Sequence, residues 1–596
     1  MNRSIIRVVL PVLTALIFIF SCAKVSSPTG GPKDREPPVI IKSIPLTGTK
    51  NFSGKEIVIT FDEYVVLDKI NEIFMVSPPM KKKPSVFVRG KSVHVEFEDN
   101  LKDSTTYTFY FQDAIRDLNE GNIIDNYQFV FSTGPVIDSL SVTGNVYNAF
   151  NLEAPANTLV LLHERMADSA VKKQIPDYIT RVEKNGEFRI DNVRKGKYRI
   201  YALKDLDNSK NFNLREEGFA FMTEPVEINP SKNYLPVKKD TAVVKTETGK
   251  IPIKAPIEGE YKLILFTSEK KSHYLTSSDR KLPYQLIYTL SLPPDSMKFD
   301  FSIPGTEKDD YFIEESLNKD TIIVWLTDST LYSQQQISAI IKYPFTDTLG
   351  MLGYKDDTIP MRYLMPRSVR SKVKRTPYKI NTGIISGLIG PGKQLILRTS
   401  TPLRQPDTSR IRLYELIKGD KIKVPISLLK DSINSCRYFL NTDLQQGKDY
   451  LFIADSAAFK SIYGEYSDST GIKFTVRLPE SYGKLILNIE NYEGARIVQL
   501  LTNTEELIKE VKMEKDGKLE FPLLEKGFYR LRVIYDLNSD GKWTTGDFES
   551  GRQPEPVSYY PDEIEIKVNW EDNKNWDLGA KNFKTFKMRS SQKSIK

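Results

Sequence analysis

Two stretches of the chain, residues 183–205 and 514–536, are near relatives of each other. The first reads EKNGEFRIDNVRKGKYRIYALKD and the second EKDGKLEFPLLEKGFYRLRVIYD, and they align without a gap at an offset of 331, the difference between positions 514 and 183. Residues that coincide at this offset are Gly186 and Gly517, Gly196 and Gly527, Tyr198 and Tyr529, Asp205 and Asp536, and Val226 and Val557. An internal duplication of this kind predicts a chain built from repeated modules.

Apolar residues alternate with polar ones over short runs, a pattern typical of half-buried strands rather than of helices. Tyrosine and phenylalanine, both favoured in strands, number 30 each. The clearest alternating runs are Ile57, Ile59 and Phe61, then Val93, Val95 and Phe97, then Tyr107, Phe109 and Phe111, then Tyr127, Phe129 and Phe131. A chain of 596 residues is too long for one hydrophobic core. We therefore predict an all-β protein, a linear array of β-sandwiches.

Charge and cysteine content narrow the class of protein. The 85 basic and 77 acidic residues leave a net charge of +8, which is mild and mixed, so nucleic acid is not predicted as a partner. The two cysteines are Cys22 and Cys436, and Cys22 belongs to a targeting segment, so no internal disulfide is predicted in the mature chain. We predict that Cys436 is a small buried residue and not a reactive thiol.

The N-terminus has the features of a processed export signal. Two arginines precede an apolar run, and residues 19–22, Ile-Phe-Ser-Cys, resemble the lipobox of bacterial lipoproteins. The resemblance implies that residues 1–21 are a signal peptide and that Cys22 carries a lipid anchor to the membrane. Ala23 stands where an inner-membrane retention signal of the enteric type would have aspartate, so the outer membrane is favoured and its leaflet stays open. The alternative is a secretory signal with a chance cysteine.

Residues 22–36 form a Pro/Gly/Ser-rich tether, and a first module follows at residues 37–134. This module contains the stretches PPVIIKSIPLTGTKNF, IVITFDEYV, LKDSTTYTFYFQDAIRDLNEG and YQFVFSTG. They resemble the bacterial Ig-like domain first described in S-layer proteins, which implies an Ig-like β-sandwich. Residues 380–478 end in a similar pair of runs, so a second Ig-like β-sandwich is predicted there.

The duplicated stretches lie in two further modules, at residues 139–245 and 480–580. Both are similar to the carboxypeptidase-regulatory, transthyretin-like β-sandwich, and this resemblance implies no peptidase activity. Residues 250–360 are predicted to form a β-sandwich of unassigned family that begins with a strand at residues 261–266. The remaining segments are a basic linker at 361–379 and a basic tail at 581–596. Over most of its length the chain resembles Bacteroidetes-type outer-membrane lipoproteins that carry such domains.

The sequence lacks the residue patterns of the common hydrolases. The three histidines, His94, His163 and His273, have no second histidine or cysteine two to four residues away, so a zinc site is not predicted. Residues 371–374, Ser-Lys-Val-Lys, match S-x-x-K, but they lie in the basic linker instead of opening a helix. We therefore predict that the protein is not an enzyme.

Two non-enzymatic functions stay open. One is a lipid-anchored scaffold or interaction protein of the cell envelope, an accessory subunit of an outer-membrane protein assembly or export machine, with integral outer-membrane proteins as partners. The other is a glycan-binding outer-membrane lipoprotein, for which Trp543, Trp570 and Trp576 are candidate aromatic platforms. We favour the scaffold, because tryptophan in β-sandwiches is more often packed in the core than exposed as a platform.

The loop after the second duplicated stretch has the spacing of a calcium loop of the EF-hand type. Asp536, Asn538, Asp540 and Asp547 occupy positions 1, 3, 5 and 12, and Gly541 occupies position 6. The alternative is a turn in which these side chains hydrogen-bond their own backbone. No other cofactor is predicted.

Overall fold

The computed structural model describes residues 34–230, 261–294, 297–363 and 378–579. The predicted signal peptide, Cys22, the basic tail and most of the tether and linker lie outside these residues. About 49% of the structure is strand and 4% is helix, which confirms the all-β prediction. The described α-helices have four residues each, Ile70–Ile73, Ala170–Lys173 and Ser329–Tyr332, and the 3-10 helices are Lys308–Asp310, Thr408–Arg410 and Pro479–Ser481. Within the described ranges no helix is long and apolar enough to cross a membrane.

The chain divides into two compact units. Of the described residues, unit 1 comprises 34–146, 155–213, 220–230 and 261–263. Unit 2 comprises 147–154, 214–219, 264–294, 297–363 and 378–579.

The first sandwich of unit 1 contains β1 (Ile40–Ile44), β2 (Glu56–Phe61), β3 (Val65–Leu67), β4 (Met75–Ser77), β5 (Ser85–Arg89), β6 (Ser92–Glu96), β7 (Thr106–Gln112), β8 (Ile115–Asp117) and β9 (Tyr127–Ser132). Its sheets have the strand orders β1-β2-β6-β5 and β4-β7-β9, and β3 pairs with β8. Ile57, Ile59 and Phe61 are fully buried, whereas Val58 and Thr60 between them are half-buried. The predicted alternation thus builds one face of this core.

Eight strands form the next sheet: β10 (Leu140–Asn148), β11 (Leu159–His163), β12 (Tyr178–Arg181), β13 (Glu187–Val193), β14 (Gly196–Lys204), β15 (Gly218–Phe221), β16 (Val226–Ile228) and β17 (Tyr261–Thr267). The order is β12-β11-β14-β15-β17-β10-β13, and β16 also pairs with β14.

The position of β17 corrects one prediction. The sequence assigned this strand to the module at residues 250–360, but it lies between β15 and β10 in the eight-stranded sheet. A Cβ atom on Gly144 would lie 2.2 Å from the carbonyl oxygen of Tyr261, so only glycine allows β10 and β17 to approach this closely. Alternation identifies a strand, but it does not identify the sheet that the strand joins.

Unit 2 continues with a sandwich of β18 (Leu275–Leu282), β19 (Gln285–Leu290), β20 (Asp300–Ser302), β21 (Tyr311–Glu315), β22 (Thr321–Leu326), β23 (Gln336–Thr346) and β24 (Leu352–Arg362). Its sheets are β18-β19-β22-β21 and β20-β23-β24. Leu286, Tyr288, Val324 and Ile341 are among the buried residues of its core.

A further sandwich of unit 2 contains β25 (Leu388–Ile389), β26 (Leu395–Arg398), β27 (Ile411–Ile417), β28 (Asp420–Val424), β29 (Ser427–Lys430), β30 (Arg437–Asn441), β31 (Asp449–Ala454) and β32 (Thr470–Val476). Its sheets are β25-β32-β31-β27-β28 and β26-β30-β29. Leu395, Leu413, Tyr450 and Phe474 lie in its core.

The last sandwich contains β33 (Gly483–Glu490), β34 (Arg496–Thr502), β35 (Leu507–Met513), β36 (Gly517–Leu524), β37 (Gly527–Tyr535), β38 (Val557–Tyr559), β39 (Ile564–Ile566) and β40 (Glu571–Asp577). Its sheets are β36-β33-β40 and β35-β34-β37-β38, and β39 also pairs with β37. Leu487, Phe521, Leu531 and Val533 are fully buried in its core.

The duplicated stretches form the same two strands. At the offset of 331, β14 and β37 coincide at both ends, whereas β13 and β36 end together and β36 begins one residue earlier. Beyond these strands the offset no longer holds. Val226 in β16 pairs with Tyr198 near the start of β14, whereas Val557 in β38 pairs with Ile534 near the end of β37. The strand that pairs with the start of β37 is β39. The coincidence of Val226 with Val557 is therefore one of sequence and not of structure.

We predict that unit 1 loses stability in mild acid because of His163. This side chain is 1% exposed, and its Nε2 has no hydrogen-bond partner among the described residues. Burial lowers its pKa despite an opposing effect of Asp177. The unfolded chain binds a proton near the ordinary pKa of 6.5, so stability is present above that pH and is lost below it. The loss is at most about 1.4 kcal/mol per pH unit for one group.

Thermal unfolding of the full chain between about pH 7.5 and 5.5 measures this effect. His163→Phe removes the titrating group, so the acid-induced fall in the melting temperature of unit 1 should become smaller. At the high end of this pH range, the difference in melting temperature between His163→Phe and the wild type measures the effect of the substitution on packing alone. An unchanged pH dependence in His163→Phe would contradict the prediction.

Candidate functional site

The residues predicted to bind calcium lie in the loop 536–556 of unit 2, which follows β37. Asp536 is 5% exposed, and its carboxylate accepts hydrogen bonds from the backbone N–H groups of Asp540 (3.1 Å) and Gly541 (2.8 Å). Gly541 has a φ of 74°, a conformation that glycine adopts without strain. The side-chain oxygen of Asn538 accepts a second bond from the N–H of Asp540 at 3.0 Å. The start of the loop is thus closed by its own side chains.

Asp540 takes part in the same network. Its carboxylate accepts hydrogen bonds from the backbone N–H of Lys542 (2.9 Å) and from the side chains of Asn538 and Thr544 (both 3.1 Å). Burial raises the pKa of Asp540, but these hydrogen bonds lower it by more, so the pKa lies below its ordinary value. The spacing of the sequence therefore brings Asp536, Asn538 and Asp540 into one network.

Glu555 completes the loop, and the EF-hand spacing did not identify it. It is 5% exposed and accepts hydrogen bonds from the N–H groups of Leu537 (2.7 Å), Asn538 (3.3 Å) and Thr544 (2.8 Å). A carboxylate that accepts several backbone N–H groups holds a loop in one conformation. Residues 555–557, Glu-Pro-Val, repeat residues 224–226 at the offset of 331, and this is the sequence signal that could have drawn attention to Glu555.

Asp547, the predicted twelfth position of the calcium loop, interacts with Lys271. The distance from Lys271 Nζ to Asp547 Oδ2 is 2.6 Å, and the hydrogen bond with Lys271 is the main cause that lowers the pKa of this aspartate. The backbone of Asp547 also exchanges two hydrogen bonds with Arg552. Its side chain is therefore directed to a basic residue far away in the sequence.

The three tryptophans predicted as a glycan platform lie in different environments, so they do not form one platform. Trp576 is 7% exposed and belongs to the core of the last sandwich. Trp543 is half-buried, its ring lies 4.9 Å from that of Phe150, and its Nε1 donates a hydrogen bond to the carbonyl of Glu555. Trp570 is 64% exposed and presents its ring to solvent.

The histidines lie on separate elements. His94 Nδ1 is 2.8 Å from a carboxylate oxygen of Glu56, His163 ends β11, and His273 follows β17. Cys436 is half-buried and not buried as predicted. Its partial burial raises the pKa of the thiol to about 11, which disfavours the reactive thiolate. The S-x-x-K stretch of the linker lies outside the described residues.

Residues 34–133 match the family of bacterial Ig-like domains, which confirms the resemblance predicted for residues 37–134. The Ig-like assignment of residues 380–478 and the transthyretin-like assignments stay predictions. A search of curated proteins finds no match.

Solved structures share low identity with this chain. The N-terminal part of the bacterial S-layer protein SbsC is 17% identical with a TM-score of 0.13, and the match covers 32% of this chain and 44% of that one. A fragment of α-2-macroglobulin from Escherichia coli is 13% identical with a TM-score of 0.19 and coverage of 50% and 97%. A biofilm-associated protein domain is 10% identical with a TM-score of 0.13 and coverage of 91% and 98%. The chain spans less than half of the first of these, and such TM-scores support no argument about function.

Calcium binding by the loop stays a prediction, and the structure changes the residues expected to carry it. Asp536, Asn538 and Asp540 share a network with Glu555, while Asp547 is engaged by Lys271. We expect calcium to bind in the range of about 0.1–1 mM, as in extracellular modules. Titration calorimetry and the melting temperature with and without chelator measure it.

The binding heat should disappear in Asp536→Ala and Glu555→Gln and persist in Asp547→Asn, the matched control. If the wild type gives neither heat nor a shift in melting temperature, only the hydrogen-bonded turn remains.

Proposed function

We propose that the protein is a non-enzymatic scaffold of the bacterial cell envelope, anchored by a lipid on Cys22 to the outer membrane. The observation that carries this proposal is the order of its first segments. A lipobox-like sequence ends at Cys22, a short tether follows, and a bacterial Ig-like domain begins at residue 34. This order is typical of a lipoprotein that displays folded domains next to a membrane.

Contacts between successive cores of unit 2 support a scaffold role. The carboxylate of Glu314 accepts hydrogen bonds from the N–H (3.2 Å) and hydroxyl (2.7 Å) of Ser435 and from Trp325 Nε1 (3.0 Å). The rings of Tyr284 and Tyr463 stack with their centroids 3.9 Å apart. A junction with several specific contacts resists bending better than a bare linker does.

The junction with the last sandwich is also specific. Arg477 donates to both carboxylate oxygens of Glu525, at 2.6 and 2.8 Å, and its guanidinium lies 4.3 Å from the ring centre of Tyr482. An arginine held by a carboxylate and an aromatic ring in this way keeps a defined orientation. Such a unit is suited to holding partners at defined positions.

The turn between β23 and β24 is the proposed contact with an integral outer-membrane protein. In the turn, Leu349 and Met351 are 83% and 68% exposed, and Leu352, the first residue of β24, is 52% exposed. The carboxylate of Asp347 accepts the N–H groups of Leu349 (2.9 Å) and Met351 (2.8 Å), so the turn has a defined conformation. Clustered exposed apolar side chains mark interaction sites more often than single ones do.

A glycan-binding lipoprotein is the second candidate, and the exposed ring of Trp570 is the observation that favours it. Binding to a glycan array that is lost in Trp570→Ala, without a protein partner, would make this function the better one.

If the proposed lipid anchor is present, Cys22 is acylated. Cells that express the full chain and are fed a clickable fatty acid should yield labelled protein in the outer-membrane fraction. Cys22→Ala should lose the label, and Cys436→Ala, the matched control, should keep it. Label that persists in Cys22→Ala would contradict the proposal.

The partner prediction is tested with a photo-crosslinking amino acid placed at residue 349. We expect a crosslink to an integral outer-membrane protein at this position. Residue 317 is the matched control, because Leu317 is 78% exposed but does not belong to the turn. Equal yields at both positions, or none at 349, would refute the proposed contact.

A further inference from the structure

We propose that residues 543–548, Trp-Thr-Thr-Gly-Asp-Phe, are an intramolecular clasp that locks the last sandwich to three earlier segments of unit 2. These segments are residues 147–154, 214–219 and 264–271. The inference goes beyond the proposed function, because it assigns a conformational role to a loop that neither the anchor nor a partner requires.

The first contact of the clasp involves Phe150. Its ring lies 4.9 Å from the ring of Trp543 and 3.9 Å from the guanidinium carbon of Arg532. It packs on an apolar cluster on the last sandwich that consists of Ile497, Ile534 and Val557. Phe150 therefore covers apolar surface that would otherwise face water.

Other neighbours of Arg532 hold its guanidinium in the position that this stacking requires. It is 4% exposed, and it donates hydrogen bonds to Gln499 (2.7 Å) and to the hydroxyl of Tyr559 (3.1 Å). Glu505 lies 3.5 Å away and balances its charge. A guanidinium that is held flat in a desolvated position interacts strongly with an aromatic face.

The second contact joins the ring of Phe548 to that of Phe219. The centroids are 4.8 Å apart and the planes form an angle of 62°, an edge-to-face arrangement. Phe219 is 0% and Phe548 8% exposed, so this pair is buried.

The third contact is made by the middle of the clasp. A Cβ atom on Gly546 would lie 2.7 Å from the ring of Phe266, which is 3% exposed and cannot easily move away. The hydroxyl of Thr545 donates to the carbonyl of Thr267 at 2.8 Å. Next to these residues lies the ion pair of Asp547 with Lys271.

Five of the six clasp residues thus contact the earlier segments, and Thr544 instead bonds within the loop.

Two bonds of the clasp, those of Thr545 and Asp547, join residues 278 and 276 positions apart. The segment 264–271 precedes β18, and the clasp follows β37. The chain before the intervening sandwiches and the chain after them therefore meet in one contact region. Elements that share such contacts open together rather than one by one.

Hydrogen exchange of the full chain, read by mass spectrometry, tests the clasp. Gly546→Val should raise exchange by about tenfold or more in peptides from residues 147–154, 214–219 and 264–271. Gly353→Val is the matched control, since no atom of the described residues lies within 4 Å of a Cβ atom built on Gly353. Exchange that rises only within the loop 536–556 would overturn the proposal.

Phe150→Ala provides the reciprocal test in case the bulky valine prevents folding of the last sandwich. It should raise exchange in residues 543–548, whereas Phe528→Ala, which removes a phenylalanine that is 51% exposed, should not. A change confined to residues 147–154 would overturn the proposal by itself.

Discussion

Glu555 is the residue on which the arrangement of the loop 536–556 depends. Its buried carboxylate accepts hydrogen bonds from the backbone N–H groups of Leu537, Asn538 and Thr544. An N–H group that was buried without a partner would lower the stability of the fold by roughly 1–3 kcal/mol. These bonds fix the backbone at residues 537, 538 and 544. Trp543 and residues 545–548 make the contacts with the earlier segments.

The two duplicated modules show how one hairpin supports different loops. In unit 1, Asp205 accepts hydrogen bonds from the N–H groups of Ser209 (3.2 Å) and Lys210 (2.9 Å), as Asp536 does at the corresponding positions. Lys210 adopts a φ of 59° where the second copy has glycine, so the turn persists without it. The two modules differ most in the residues after the turn, as expected where a rigid scaffold presents variable loops.

The alternation of apolar residues predicted the strands and the buried faces, because a strand must alternate whatever it pairs with. It did not predict that β17 joins the eight-stranded sheet, since that depends on the space left by Gly144. The spacing of acidic residues left open a calcium loop or a turn closed by its own side chains, and Asp536 and Asp540 do form local hydrogen bonds within that turn. It failed to predict Lys271 as the partner of Asp547, because no local pattern marks a residue 276 positions away.

A double-mutant cycle tests most directly whether the last sandwich is locked to earlier segments of unit 2. Phe150→Ala, Trp543→Ala and the double variant are unfolded with urea as full chains, and circular dichroism reports the free energy of unfolding. Direct contact predicts a coupling of about 0.5–1.5 kcal/mol between the two residues. Additive effects, with no coupling beyond experimental error, would contradict the clasp.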